Sequence, residues 1–380
     1  HKKLKLDQLE ASFKVPERVK KVEESNEPKK PKGPISIIDA KANQTFTIIL
    51  KGFKGKTIEE VCKAIEEVDE KVFDESSTVR ALLKALTDFK EEYPPVEEHI
   101  KANGMTNLGI PEQFMYALNH VEFVNMKLSA FQSKMELPMK LDEVGPNVEA
   151  VRKAATELVE SKKFIRLLEV ILLVGNFLNC GTAKGKIPGF KFDTLNKTLD
   201  TKTGDNKRTL LHMIQEYASV KNTELLDWDE ELPDVPAAAK VPGAQFESDI
   251  KGIEKMFNDI KTAISKIPPS SETFHKVMSC FLETTQSRIE ELKKNFEAMN
   301  EAFKKALQYV GLDTNKLPPP EEFFTTLNTF ISNWHRVTDD NKKLALQREK
   351  EEKKKAAAEA AAAKRAAKKS VVGAKTADEK

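Results

Sequence analysis

A chain of 380 residues with 62 Lys and Arg against 60 Asp and Glu carries a formal charge of only +2, so it is no polycation and nucleic acid is a poor partner for it. Charged residues make up 32% and aromatics 7%, with Lys, Glu, Ala and Leu prominent, which is the balance of long helices with solvated faces. Cys62, Cys180 and Cys280 are odd in number and far apart, no apolar run approaches the length of a membrane helix and no signal-peptide pattern opens the chain, which together point to a reducing, cytoplasmic setting.

In chain order, Leu4, Leu6, Leu9 and Phe13 make a short amphipathic stretch before Pro16. It is too brief to stand alone as a helix in water and needs a surface to lie on. The chain opens on His1 rather than Met, which points to a fragment of something larger. Residues 15–34 hold Pro, Gly and charge with almost nothing to bury, the composition of a flexible tether.

Ile35 to Leu137 reads as a cluster of short helices. Asp39 or Asn43 caps the first, with Phe46, Ile49, Leu50 and Phe53 on its buried face. Thr57 and Glu60 form a capping box before Ile58, Val61, Ala64, Ile65 and Val68. Ser76 or Ser77 opens a third helix through Val79, Leu82, Leu83 and Leu86, which Tyr93, Pro94 and Pro95 end. Pro111 starts a fourth, running through Phe114, Leu118, Val121, Val124, Leu128 and Phe131.

A long helix is expected over Val148 to Val174 and onward, where Phe164, Leu167, Leu168, Ile171, Leu172 and Leu178 recur at helical spacing in numbers that imply burial on more than one side. Asn179, Gly181, Gly185, Pro188 and Gly189 then break it, glycine supplying backbone shapes that a side chain forbids. Phe190 and Phe192 follow, and a polar loop from Thr201 to Arg208 carries Lys202, Lys207 and Arg208. Thr223 to Pro242 is acidic and tether-like, and Pro233, Pro236 and Pro242 exclude a continuous helix there.

The most regular pattern lies beyond. Phe246, Ile250, Ile253, Phe257, Ile260, Ile264 and Ile267 alternate spacings of four and three, the seam of a coiled coil. A second seam of the same kind runs Met278, Leu282, Thr285, Ile289, Leu292, Phe296, Met299, Phe303, Ala306 and Val310. The two helices are expected to pack antiparallel with Pro268 to Ser271 as the elbow. After Leu317 to Pro320 another helix carries Phe323, Phe324, Leu327, Phe330, Ile331 and Trp334; from Asn341 on, apolar residues nearly vanish, as in an exposed, single helix fraying toward Lys380.

The stretch from Ile171 to His212 resembles a known family. GNFLNCG is similar to the G-N-Y-M-N-x-G motif of the formin homology 2 domain, and GFKFDTLNKTLDTKTGDNKRTLLH continues the likeness colinearly. ANQTFTIILKGFK, KLKLDQLEASF and PPPEEFFTTLNTF resemble further landmarks of that family. The resemblance implies an all-α fold, an elongated crescent of helical subdomains: a lasso remnant at 1–14, a flexible linker at 15–34, a helical core of knob, coiled coil and post at 35–340, and a charged tail at 341–380. It implies an actin-binding module that nucleates filaments and stays on their barbed ends as a tethered head-to-tail dimer, in the cytoplasm and on the cytoskeleton. Actin contacts would be Ile48 and Lys202, with Lys197, Lys207 and Arg208 near the latter. Dimerisation would use Gly175, Asn176, Phe177, Asn179 and Gly181 of the post and Leu6, Leu9 and Phe13 of the lasso. The tryptophan that anchors the family's lasso has no counterpart here, because Trp228 and Trp334 lie far downstream. Profilin would be recruited only by an upstream proline-rich segment absent from this chain.

From the residues alone, one Ile among Ile48, Ile49 and Leu50 is equally ordinary core, although three adjacent apolar residues cover more than one helix face. A solvated polar loop is the plain alternative for Lys202. No catalytic constellation is found, and neither cofactor nor metal is expected. GTAKGKI is one residue short of a phosphate loop, with Ile187 where a magnesium-binding Ser or Thr would stand, and no zinc spacing occurs among the His and Cys. His212 reads as a structural histidine. A helical adaptor or membrane-associated scaffold is the rival to an actin nucleator, but it has no use for a Gly-rich loop flanked by Phe190 and Phe192.

Overall fold

A computed structural model describes residues 35–53, 55–182, 185–314 and 317–375. Leu6, Leu9 and Phe13 of the expected lasso, and the tether at 15–34, lie outside the described residues. The described chain is all-α, with α1 Ala40–Gly52, α2 Ile58–Glu67, α3 Ser76–Asp88, α4 Tyr93–Asn103, α5 Ile110–His120, α6 Val124–Glu160, α7 Lys162–Leu178, α8 Leu210–Lys221, a single turn α9 Val235–Ala238, α10 Phe246–Lys266, α11 Glu272–Tyr309 and α12 Pro320–Lys375. Among these residues the only extended pairings are two isolated bridges, Ile35 with Leu108 and Lys202 with Thr209, and no helix is long and apolar enough to cross a membrane.

Both seams form as read. Phe246, Ile250, Ile253, Phe257 and Ile260 are buried in α10, and Met278, Thr285, Ile289, Leu292, Met299, Phe303 and Ala306 in α11. The elbow between them turns at Pro268, where the Ser271 amide donates to the Pro268 carbonyl at 3.1 Å and the His275 ring lies 3.0 Å from the Ile267 carbonyl. They do not pack as an isolated pair, however. A third helix, α6, lies along both, so the rod is a three-helix bundle. At 37 residues and 1.5 Å per residue, α6 spans roughly 55 Å.

That helix corrects three expectations. The run from Pro111 is interrupted at Phe123, which takes a left-handed backbone (φ 55°) before α6 begins. The helix expected from Val148 starts at Val124 and runs through Pro138 and Pro146. Each proline removes one backbone bond, which the buried face of Leu137, Leu141, Val144, Val148 and Val151 offsets. The helix also stops at Glu160 instead of running on to Val174. Ser161 caps α7, its Oγ accepting the Phe164 amide at 3.0 Å and donating to Glu231 at 2.7 Å.

Two hydrophobic cores share these three helices. One gathers α1 to α5 around Phe46, Phe73, Phe114 and Phe131, and takes in Ile260, Ala263, Ile267, Phe274 and Met278 around the elbow. The other gathers α7, α8 and α12 around Trp228, Trp334 and Phe324, with Ile253, Leu292 and Phe303 from the far half of the rod. In the first core Asp39 caps α1 and Thr57 with Glu60 closes the capping box of α2. Tyr93, Pro94 and Pro95 do not end a helix but begin α4, with proline in its first turn, where the missing N–H costs nothing.

The acidic stretch from Thr223 is no tether. It folds turn by turn, with Leu225, Trp228, Leu232, Val235, Ala238 and Val241 all buried. Trp228 packs against Phe164 with ring centroids 5.4 Å apart and edge-on to Trp334 at 6.2 Å. Beyond Asn341, α12 continues as one helix to Lys375. Cys62, Cys180 and Cys280 are free thiols, and burial pushes the Cys62 pKa up to about 11.

Ser161→Ala removes the α7 cap and leaves Glu231 without its hydroxyl donor. The expected loss is about 1–2 kcal/mol, read as a lower urea midpoint with an unchanged m-value.

Candidate functional site

The apolar stripe of α1 is Ala42, Phe46, Ile49 and Phe53, all buried. With 3.6 residues per turn, Ile48 falls off that stripe, and it is 60% exposed. The isoleucine singled out by the resemblance is therefore the member of its triplet that the core does not use.

Lys202 sits in a loop built by its own polar residues. Asp205 accepts the Thr203 hydroxyl at 2.6 Å and the Lys207 amide at 3.1 Å, and the Thr203 hydroxyl foremost holds the Asp205 carboxyl below its usual range. Asn206 takes a left-handed backbone, φ 56°. The base is closed by Leu210 N–H to Thr201 C=O at 2.7 Å and Thr203 N–H to Arg208 C=O at 2.9 Å. Lys197, at the end of a 3-10 turn from Phe192 to Thr198, is exposed like Lys202 and Lys207.

Arg208 differs from these three. Its guanidinium reaches Glu216 at 2.5 Å and Asn341 at 3.2 Å, and its side chain is 14% exposed. Its charge is engaged within the molecule, latching the loop to α8 and α12. Glu216 also meets Arg348 at 3.3 Å, and Asn341 donates to the His212 carbonyl at 2.9 Å. Asn341 and Arg348 lie too far off in sequence for local spacing to reveal them.

His212 is structural, as read. Its Nδ1 accepts the Thr209 amide at 3.2 Å, completing a capping box at the start of α8. Burial foremost, and then the nearby Arg208 charge, lower its pKa from the ordinary histidine value.

The glycine-rich stretch after α7 is likewise held by its own residues. The Asn176 amide donates to the Ile187 carbonyl at 3.0 Å and accepts the Ile187 N–H at 3.1 Å, clamping the loop across its width. Asn179 donates back to the Gly175 carbonyl at 2.8 Å. Gly181 takes φ +86°, and a Cβ on Gly185 would lie 2.2 Å from the Asn179 carbonyl oxygen, so a side chain fits neither place. Phe190 lies against the second core, while Phe192 is buried and stacks on Phe323 at 4.7 Å.

The second half of α7 departs from the expected burial. Phe164, Leu167, Val170 and Ile171 are buried, but Leu173, Leu178 and above all Phe177, at 77%, are exposed. On the neighbouring α8, Met213, Tyr217 and Val220 are exposed too, at the spacing of one helix face. That second stripe was readable in LLHMIQEYASVK, since Leu211, Ile214 and Ala218 already supply a core face. Exposed apolar surface of this extent on two adjacent helices marks a contact surface.

The sequence is similar to those of known proteins. The model of the Formin Homology 2 Domain family matches residues 1–335. Formin-E of Dictyostelium discoideum is 34% identical over 309 residues, covering 81% of this chain and 20% of that protein. Formin-A of the same organism is 30% identical over 328 residues, or 85% of this chain and 26% of its own. Protein diaphanous homolog 3 of Homo sapiens is 29% identical over 320 residues, 81% and 26%. The chain thus spans about a fifth to a quarter of the length of these relatives.

Because His212 favours its neutral form in the folded protein, stability falls as pH drops below the ordinary histidine range and through its lowered value. His212→Gln, which keeps an acceptor for the Thr209 amide, is expected to flatten that dependence, read from thermal midpoints between about pH 7 and pH 5. By the match of its sequence to the family model along most of its length, the chain belongs to the formin homology 2 family.

Proposed function

We propose that this chain is an actin-binding module that nucleates filaments and remains on their barbed ends, working as a head-to-tail pair in the intact protein. The observation that carries the reading is Ile48, a large apolar side chain left in solvent by a helix whose other face is fully committed to the core. A family member with that residue exposed has the apolar half of an actin contact. Lys202 and Lys197 supply the cationic half, and Lys207 extends it. Actin is acidic, so these lysines steer the encounter and give charge-assisted bonds at contact, which salt weakens. Arg208 contributes by holding the loop.

The exposed end of α7, with Phe177 and Leu178, and the Met213, Tyr217 and Val220 stripe of α8 suit the strap of a second copy, for which Leu6, Leu9 and Phe13 are the candidate contacts. Asn176, Asn179, Gly175 and Gly181 shape that surface rather than fill it. Two such units joined by slack tethers hold two or three actin subunits together long enough for a nucleus to grow. One unit then steps while the other stays bound, through effective concentration. The site of action is the cytoskeleton of the cytoplasm. The mechanism needs no bond-breaking chemistry from this chain.

Fluorescent-actin polymerisation tests this. Ile48→Ala and Lys202→Asp are each expected to cut nucleation by roughly tenfold or more, the loss typical of a central contact residue, with the helical circular dichroism unchanged. Full nucleation by either variant would remove that residue from the actin contact, and an intact protein inert toward actin would remove the reading.

A further inference from the structure

Between α1 and the start of α5 runs a groove of about 480 Å³, lined by Asn43, Thr47, Leu50, Lys51, Ile110 and Pro111 among others. Ile110 on one wall is 63% exposed. It occupies the first turn of α5, where the core is served instead by Phe114, Met115 and Leu118. Across the groove, Ile48 lies roughly 60° around α1 from Lys51, on the outer rim of the opposite wall. Ile35 is also exposed, and its bridge to Leu108 ties it to the segment that leads into α5. Ile110 is the exposed large apolar residue that lines the opening, with half-buried Leu50 facing the same space.

The opening is held in shape from beneath. Glu112 is fully buried, and one of its carboxylate oxygens accepts the Ser36 hydroxyl at 2.8 Å, the Ile37 amide at 3.3 Å and the Asn43 amide at 3.4 Å. One carboxylate therefore joins the segment before α1, α1 itself and α5. The Gly109 amide adds a bond to the Ile35 carbonyl at 3.2 Å. A Cβ on Gly109 would lie 2.3 Å from the other Glu112 oxygen, so any larger residue there has to displace that carboxylate. A buried carboxylate is costly unless several donors satisfy it, and here its donors fix the spacing of the two walls. A binding surface set in advance loses less entropy on association.

We infer that the apolar actin contact is this groove rather than Ile48 alone, with Ile110 as a second contact residue and an apolar segment of actin as the occupant. This rests on the actin-binding reading above. The groove is continuous with the Ile48 surface through Thr47 and Lys51, and the Lys51 ammonium at its rim suits an acidic partner. Glu112 and Gly109 act as positioning residues.

The test uses the full chain and measures barbed-end affinity, from the concentration that halves elongation of fluorescent actin at barbed ends. Solution mass by light scattering and circular dichroism accompany it. Ile110→Ser is expected to weaken binding roughly tenfold with mass and helicity unchanged, whereas Ile110→Leu stays within about twofold. Gly109→Ala, which forces Glu112 aside, is expected to weaken binding in the same direction. Wild-type affinity in Ile110→Ser, with Ile48→Ala impaired, overturns the groove and leaves the actin reading standing. A lower mass in Ile110→Ser overturns it in favour of a second copy of this chain as occupant. No binding by the wild-type chain overturns both readings together.

Discussion

The sharing of three helices between two hydrophobic cores is the constraint from which the rest of the molecule follows. α6, α10 and α11 enter the first core with Phe131, Ile260 and Met278 and the second with Leu137, Ile253 and Leu292. Bending any one of them opens packing along the other two, and a protein interior resists that because each buried methylene has its place. The cores are therefore tied by a rod. Ile48 and its groove sit on the first core, Lys202 and the exposed ends of α7 and α8 on the second. Separation of the contact surfaces is set by helix rise, and their chemistry by loops and helix faces outside the rod.

This division of labour explains where polar residues have been buried. Glu112, Ser161 and Arg208 each join segments distant in sequence: Glu112 joins α1 to α5, Ser161 ties α7 to the acidic stretch through Glu231, and Arg208 ties the Lys202 loop to α8 and α12. None lies on the rod itself, whose buried polar side chains among the described residues are Lys127 and Ser133 of α6 and Thr285 of α11 against a majority of apolar ones. The polar anchors position surfaces, and apolar packing sets length. In such a molecule the loss of an anchor disturbs binding geometry before it unfolds the chain.

What could be read from the sequence followed regularity. The seams of α10 and α11 were legible because alternation of four and three persists along each helix, and the capping box at Thr57 because its two letters stand at fixed spacing. The partner of those seams was not legible. α6 buries residues on several sides, so its pattern has no single stripe, and Pro138 and Pro146 hide its continuity. Tyr93-Pro94-Pro95 misled because proline suits both the end of one helix and the first turn of the next. The segment from Thr223 to Pro242 looked like a tether because its buried residues follow 3-10 turns rather than a helical or strand period. At the site, the burial of Ala42, Phe46, Ile49 and Phe53 already leaves Ile48 outside. The difference between Lys202 and Arg208 was beyond local reading, since Glu216 and Asn341 are known as partners only once the chain is folded.

The proposed function requires one stiff body to hold the Ile48 and Lys202 surfaces at a fixed separation. Spin labels at Gln44 and Asp200, both exposed positions beside those surfaces, report that separation by pulsed electron paramagnetic resonance. The account predicts one narrow distance distribution in the free chain that stays in place when actin filaments with free barbed ends are added. A broad or two-peaked distribution, or a peak that moves on binding, would contradict it.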